Sequence, residues 1–99
     1  MPMYLRVTRG QWADPASADS QPTGQLLEEL NRTIRGLPGN QNYVGGVDPS
    51  GNGRVIAISV WDTQEHARFD AAISDIGSRL QALGLRIEPS EFFEVRTPT

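Results

Sequence analysis

The segment Arg54–Trp61 is apolar on both of its sides, and this property limits the possible folds more than any other feature of the chain. Side chains alternate between the two faces of a strand. One face would present Ile56, Ile58 and Val60, and the other would present Val55, Ala57, Ser59 and Trp61. A strand that is polar on neither face is typical of a sheet covered on both faces. The chain therefore needs a layer on each side of this strand.

The residues before this strand predict a strand, a helix and a second strand. Alternation over residues 3–9 predicts the first strand, which Gly10 would end, and residues 10–22 read as a long loop that carries Trp12. Thr23 can cap the helix, and Gly36 stops it. Residues 42–47 predict the next strand, and the Gly-rich turn at 48–53 joins it to Arg54–Trp61 as a hairpin. The helix carries an apolar stripe of Leu27, Leu30, Ile34 and Leu37.

The residues after this strand predict a second helix and a last strand. Asp62 and Glu65 have capping-box spacing, so a helix is expected over residues 63–83. Residues 91–96 read as the last strand. The apolar stripe of this helix comprises Phe69, Ile73, Ile76, Leu80 and Leu83.

The order β-α-β-β-α-β predicts an α+β fold, a ferredoxin-like unit in which two helices cover one face of an antiparallel sheet. We expect residues 1–99 to form a single domain of this kind. The helices have polar outer surfaces and cover only one face, so a second copy of the chain is the simplest cover for the other. The prediction is a homodimer, a dimeric α+β barrel, with Ile56, Ile58 and Val60 at the interface. The alternative is a monomer with an exposed apolar patch.

Composition excludes several classes of function. The absence of cysteine removes disulfides, zinc–thiolate sites and thiol nucleophiles, and a lone histidine predicts no metal site. The net charge is −3 and the nine basic residues, all arginine, are scattered, so no nucleic-acid partner is expected. The sequence contains no apolar run of signal-peptide or membrane-spanning length, which predicts a cytoplasmic protein without a membrane partner.

The junction Val60-Trp61-Asp62-Thr63-Gln64-Glu65-His66-Ala67-Arg68-Phe69 resembles the antibiotic biosynthesis monooxygenase-like family, the dimeric α+β barrels. The resemblance extends from Met3 to Val95. It implies a homodimer with a pocket between each sheet and its helices. Members include cofactor-independent oxygenases acting on aromatic polyketides or quinols, and haem-degrading enzymes. Trp61 matches the family's pocket tryptophan, and Ala57 stands where the polyketide oxygenases have an asparagine.

Two residues are candidates for catalysis, Trp61 and His66. The macrodipole at a helix N-terminus disfavours protonation of a histidine, and a neutral His66 near Trp61 could act as a base or as a hydrogen-bonding group. The alternatives are a core tryptophan and a boundary histidine bonded to backbone or water. Five residues are candidates for the pocket: Trp12, Arg6, Tyr43, Ser59 and Phe69.

Arg6 and Trp12 each have two interpretations. Arg6 would bind an anionic substrate if it faces the helices, and would be a solvated strand residue if it lies at an edge. Trp12 would cover the pocket, pack across the dimer or anchor its loop.

Two functions compete at this stage. The first is a cofactor-independent monooxygenase that acts on an aromatic or quinol-type substrate. The second is a non-catalytic ligand-binding barrel, or an accessory or stress-related one. No cofactor is predicted, and the residues leave haem and flavin open as ligands of the pocket.

Overall fold

A computed structural model describes residues 2–97. A 3-10 helix at Pro15–Asp19 precedes the first of two α-helices. The strands are β1 (Tyr4–Trp12), β2 (Asn40–Val47), β3 (Arg54–Trp61), β4 (Leu85–Ile87) and β5 (Glu91–Glu94), and the helices are α1 (Gln21–Arg35) and α2 (Asp70–Ala82).

The strands form one antiparallel sheet in the order β2-β3-β1-β4. The short strands β4 and β5 both pair with β1, β4 along residues 10–12 and β5 along residues 4–7. Together they occupy the place of one edge strand that is interrupted at residues 88–90. Both helices pack on the same face of the sheet, where they share two hydrophobic clusters with it. The predicted ferredoxin-like α+β fold is confirmed.

The first strand is longer than predicted. It continues through Gly10 to Trp12, so the prediction that Gly10 ends the strand and that Trp12 lies in a loop was wrong. Gly10 sits between two neighbouring strands, and a Cβ atom there would lie 3.1 Å from Leu85 Cδ1 and from Val55 Cγ2. The glycine therefore permits a close approach inside the sheet. Trp12 is buried in the cluster that also contains Leu85.

Both predicted helix starts were wrong. The cap of α1 is Ser20, whose Oγ accepts a hydrogen bond from the backbone N–H of Thr23. Residues 62–69 are bends, turns and irregular chain rather than the first turns of α2. Asp62 is hydrogen-bonded to the His66 ring, and Thr63 Oγ1 accepts from the His66 backbone N–H. These contacts build one turn that does not continue into the helix.

Arg6 explains why this turn does not continue. In an uninterrupted helix the Ala67 carbonyl would accept a hydrogen bond from the backbone N–H four residues later. Here it accepts from Arg6 Nη1 at 3.1 Å. The Ala67 carbonyl is thus bonded to a strand residue instead of to the next turn of a helix, and α2 begins only at Asp70. A contact between residues 61 positions apart determines a local boundary.

The C-terminal part of the chain contains a strand that the sequence did not predict. Strand β4 follows Gly84 directly, and β5 ends at Glu94 rather than at Arg96. Neither helix in the described part of the chain is long and apolar enough to cross a membrane.

The face of the sheet opposite the helices is mainly apolar, and it carries one ion pair, between Arg9 and Glu91. The pairing places Val7 beside Ile58 and Leu5 beside Val60, on the side away from both hydrophobic clusters. Val44 and Phe93 lie on the same side and are exposed. We call this surface the outer face: Leu5, Val7, Val44, Ile56, Ile58, Val60 and Phe93. It includes the three predicted interface residues.

Candidate ligand-binding site

A cavity of about 800 Å³ separates the sheet from the two helices. Its floor contains a row of small side chains, because Gly45, Ala57 and Thr8 lie opposite one another on β2, β3 and β1. Larger side chains on this row would reach the helices and fill the space. The cavity therefore follows from the choice of small residues at three paired positions. Its roof includes Leu27, Leu30 and Ile34 of α1 and Ile73 and Leu80 of α2.

Polar side chains occupy the neighbouring row of the floor. Tyr43 lies opposite Ser59, Ser59 lies opposite Arg6, and Arg6 lies opposite Phe92. We call Tyr43, Ser59 and Arg6 the polar row. Directly opposed residues have Cβ atoms about 4.5–5.5 Å apart, so adjacent members can bind one ligand atom together. An apolar cavity with a few convergent polar groups is typical of a small-molecule site.

Arg6 is the charged member of this row, and it is only 5% exposed. Its Nη2 donates to Asp70 Oδ1 at 2.7 Å, and its guanidinium lies 4.2 Å from the centre of the Phe69 ring. Buried cations require such partners, because an unpaired charge in a protein interior is costly. The Arg6 side chain therefore faces the helices and does not lie at an edge of the sheet.

Ser59 and Tyr43 supply hydroxyl groups. Ser59 Oγ accepts a hydrogen bond from Trp61 Nε1 at 2.8 Å. Burial raises the pKa of Tyr43 above its ordinary value of 10.0, and the nearby Arg35 opposes this only in part. Tyr43 is therefore a neutral phenol at physiological pH and can donate a hydrogen bond.

The five predicted pocket residues all line this cavity: Arg6, Trp12, Tyr43, Ser59 and Phe69. The two predicted catalytic residues do not line it. Trp61 is completely buried at the end of β3, on the helix side of the sheet and beyond Ser59, where its ring lies 4.6 Å from that of Phe69. The His66 side chain is 41% exposed and is hydrogen-bonded to Asp62 through Nδ1 at 2.7 Å.

The cavity has no histidine among the residues that line it. His66 is the only histidine of the chain, and it lies outside the cavity, so the cavity offers no imidazole to an axial position of a haem. Within residues 2–97, no three His, Cys, Asp or Glu side chains lie together in a way that could hold a metal ion.

The sequence did not single out several residues that line the cavity. Thr8 and Ser90 are hydrogen-bonded through their hydroxyl oxygens at 2.6 Å, and Asn31 approaches from α1. The alternation of residues 3–9 already placed Thr8 on the same side as Arg6. The position of Ser90 follows from the break between β4 and β5, which no local pattern indicates.

The Asp70→Asn substitution is expected to make stability less sensitive to acid. The hydrogen bond from Arg6 lowers the pKa of Asp70 below its ordinary value of 3.8, and this effect exceeds the opposing effect of desolvation. A carboxyl group with a lowered folded-state pKa adds stability above its unfolded-state pKa, and this stability is lost as the pH falls through the folded-state value. The free energy of unfolding of the wild type should therefore fall more steeply than that of the variant below about pH 4.

Urea titrations at pH 7 and at pH 2.5 would measure this difference. Asp19→Asn, on the exposed 3-10 helix, is the control for removal of one carboxylate elsewhere on the surface. Parallel pH profiles for the wild type and Asp70→Asn would contradict the expectation.

No protein-family model matches the chain, and no curated protein matches it. Solved structures with the same architecture do match. SnoaB, a cofactor-independent oxygenase from Streptomyces nogalater, superimposes with a TM-score of 0.75 at 15% identity, over 99% of this chain and 97% of its own. The chain has the fold of the antibiotic biosynthesis monooxygenases. The fold implied by the resemblance around Trp61 is thereby confirmed.

Two further solved structures share this fold. A protein from Chloroflexus aurantiacus, provisionally assigned to the antibiotic biosynthesis monooxygenases, has a TM-score of 0.70 at 17% identity, over 98% of this chain and 96% of its own. Rv0793 from Mycobacterium tuberculosis has a TM-score of 0.65 at 11% identity, over 97% of this chain and 96% of its own. At these identities the likeness concerns the fold alone.

Proposed function

We propose that this chain is a homodimeric protein that binds a small aromatic or quinol-type molecule in the cavity between sheet and helices. The observation that carries the proposal is the cavity of about 800 Å³ above the small-residue row Gly45, Ala57 and Thr8. Ring-shaped apolar ligands suit such a space, because the lining includes Trp12, Phe69 and aliphatic side chains of both helices.

The outer face supports the homodimer. Its apolar side chains lie away from both clusters that hold the helices. Burial of one Val, Leu or Ile side chain contributes roughly 1.5–3 kcal/mol. A second copy of the chain, packed sheet to sheet, would cover the exposed Val44 and Phe93 and the half-buried Ile56, Ile58 and Val60 in both subunits.

Oxygenase activity is the more specific form of the proposal, and it is supported by the likeness to SnoaB, a cofactor-independent oxygenase. In such a reaction a CH₂ group of an aromatic substrate and O₂ would yield a carbonyl group and water. The substrate supplies all the electrons, so no reductant is needed. The positions of Trp61 and His66 outside the cavity favour the second function, a barrel that binds an aromatic ligand without converting it.

The Ala57→Leu substitution is expected to abolish ligand binding while preserving the fold. The larger side chain would extend into an existing cavity rather than into a packed core, so little strain should follow. A ligand at about 100 times its dissociation constant adds roughly 2.7 kcal/mol to the free energy of unfolding. This corresponds to a shift of several degrees in Tm for a domain of this size. The shift should be present in the wild type and absent in Ala57→Leu.

Thermal denaturation with hydroxyanthrones and naphthoquinols measures this shift, and an oxygen electrode then separates turnover from binding. The control is Ala71→Leu, the same substitution at an exposed position of α2 outside the cavity. Equal shifts in the wild type and in Ala57→Leu would show that the ligand binds elsewhere. Binding without oxygen consumption would favour the non-catalytic function.

A further inference from the structure

We infer that the ligand of this cavity is an aromatic acid, and that Arg6 and Ser59 together bind its anionic oxygen. This inference rests on the proposed function, because it assumes that the cavity binds an aromatic molecule. It adds the charge of the ligand and the place where that charge is held.

Arg6 retains hydrogen-bonding capacity. A guanidinium group has five N–H donors in a planar fork. Contacts with the protein that the structure describes engage Nη1 with the Ala67 carbonyl and Nη2 with Asp70. The side chain also lines the cavity, so the remaining donors have a ligand within reach. Guanidinium groups bind carboxylates well because two parallel N–H groups match the two oxygens.

The positive charge of Arg6 is only partly compensated by the protein. Its ion-pair partner Asp70 has a side chain that is 75% exposed, so water screens that carboxylate. The rings of Phe69 and Phe92, whose centres lie 4.2 Å and 5.7 Å from the guanidinium, compensate part of the charge through cation–π contacts. A ligand anion inside the cavity would lie in a less polar environment than Asp70, where attraction to the buried cation is stronger.

Ser59 adds a second donor beside Arg6. Its Oγ accepts from the Trp61 indole, which fixes the hydroxyl oxygen while leaving the hydroxyl proton free to be donated. Because Ser59 and Arg6 are directly opposed on β3 and β1, both can reach the same oxygen. Trp61 thus acts as a positioning residue for Ser59, a role that does not require it to touch the ligand.

The test compares two probes of nearly equal shape, 2-naphthoate and 2-naphthamide, by isothermal titration calorimetry on the wild-type chain. The wild type should bind the anion at least about tenfold more tightly than the amide. Asp70→Asn should increase this ratio, because it removes the carboxylate that competes for Arg6 at an exposed site. Arg6→Met should reduce the ratio to about one.

The outcomes separate this inference from the proposed function. Equal binding of both probes by the wild type would overturn the inference and leave the aromatic cavity in place. Binding of neither probe would overturn the proposed function and the inference together. Arg6→Met could fail to fold because its contact with Ala67 is lost, and in that case Asp70→Asn is the deciding variant. If Asp70→Asn leaves the ratio of naphthoate to naphthamide affinity unchanged or makes it smaller, the inference is overturned.

Discussion

The Trp61→Ala variant is expected to lose about 3–5 kcal/mol of the free energy of unfolding. Trp61 is fully buried and packs in one cluster with Ile34 and Ala67, and its ring contacts that of Phe69 at an interplanar angle of 34°. Removal of the indole would leave a void and would also remove the hydrogen bond to Ser59. The free energy of unfolding of a native protein is only about 5–15 kcal/mol. This single substitution would therefore bring the chain close to unfolding.

Urea denaturation followed by circular dichroism would measure this loss. Trp61→Phe is the informative comparison, because it retains an aromatic ring in the cluster and removes the N–H group. Its loss should be clearly smaller than that of Trp61→Ala. If Trp61→Phe keeps the fold but abolishes turnover of a substrate, a role of the indole N–H in positioning Ser59 gains support. A loss below about 1 kcal/mol in Trp61→Ala would contradict the structural role described above.

The Ile58→Glu variant is expected to be a monomer at concentrations where the wild type is a dimer. Ile58 lies in the middle of the outer face, between Val7 and Val44 on the adjacent strands. A symmetric interface would bury the new carboxylate of each subunit without a partner, at a cost of several kcal/mol per charge. A cost of roughly 4 kcal/mol raises the dissociation constant about a thousandfold.

Sedimentation velocity over a concentration series would show this change. Gln25→Glu adds the same charge to the exposed surface of α1 and should leave the assembly intact. A wild-type chain that sediments as a monomer, or an Ile58→Glu chain that remains a dimer, would refute the proposed interface.

The sequence was informative wherever the deciding forces act between neighbours in the chain. The apolar residues on both sides of Arg54–Trp61 correctly predicted a strand, and the turn before it correctly predicted the hairpin. The sequence was less informative where contacts with residues distant in the chain determine where a strand or helix begins or ends. Glycine often ends a strand, yet Gly10 lies inside β1, where β1, β3 and β4 approach one another closely. The start of α2 depends on a hydrogen bond from Arg6, which no local pattern reveals.

For the candidate site too, local patterns were informative and contacts between distant residues were not predicted. Alternation placed Arg6 and Thr8 on one side of their strand, but only the strand pairing shows that this side faces the helices. The five pocket candidates were recognised as polar or aromatic residues, four of them on predicted strands or helices and Trp12 in a predicted loop. The small residues that create the cavity, Gly45 and Ala57, carry no chemical signal of their own. Their importance appears only when the register puts them in one row with Thr8.

The interrupted edge of the sheet has a consequence for how copies of this chain can associate. An uninterrupted edge strand offers a row of free backbone groups to any other extended chain, and this is a common route to aggregation. Here the edge consists of two short strands separated by Glu88-Pro89-Ser90, and proline cannot donate a backbone hydrogen bond. On that side, fibril-like growth by strand addition is disfavoured. In the proposed homodimer, the edge formed by β4 and β5 would therefore stay protected from open-ended polymerisation.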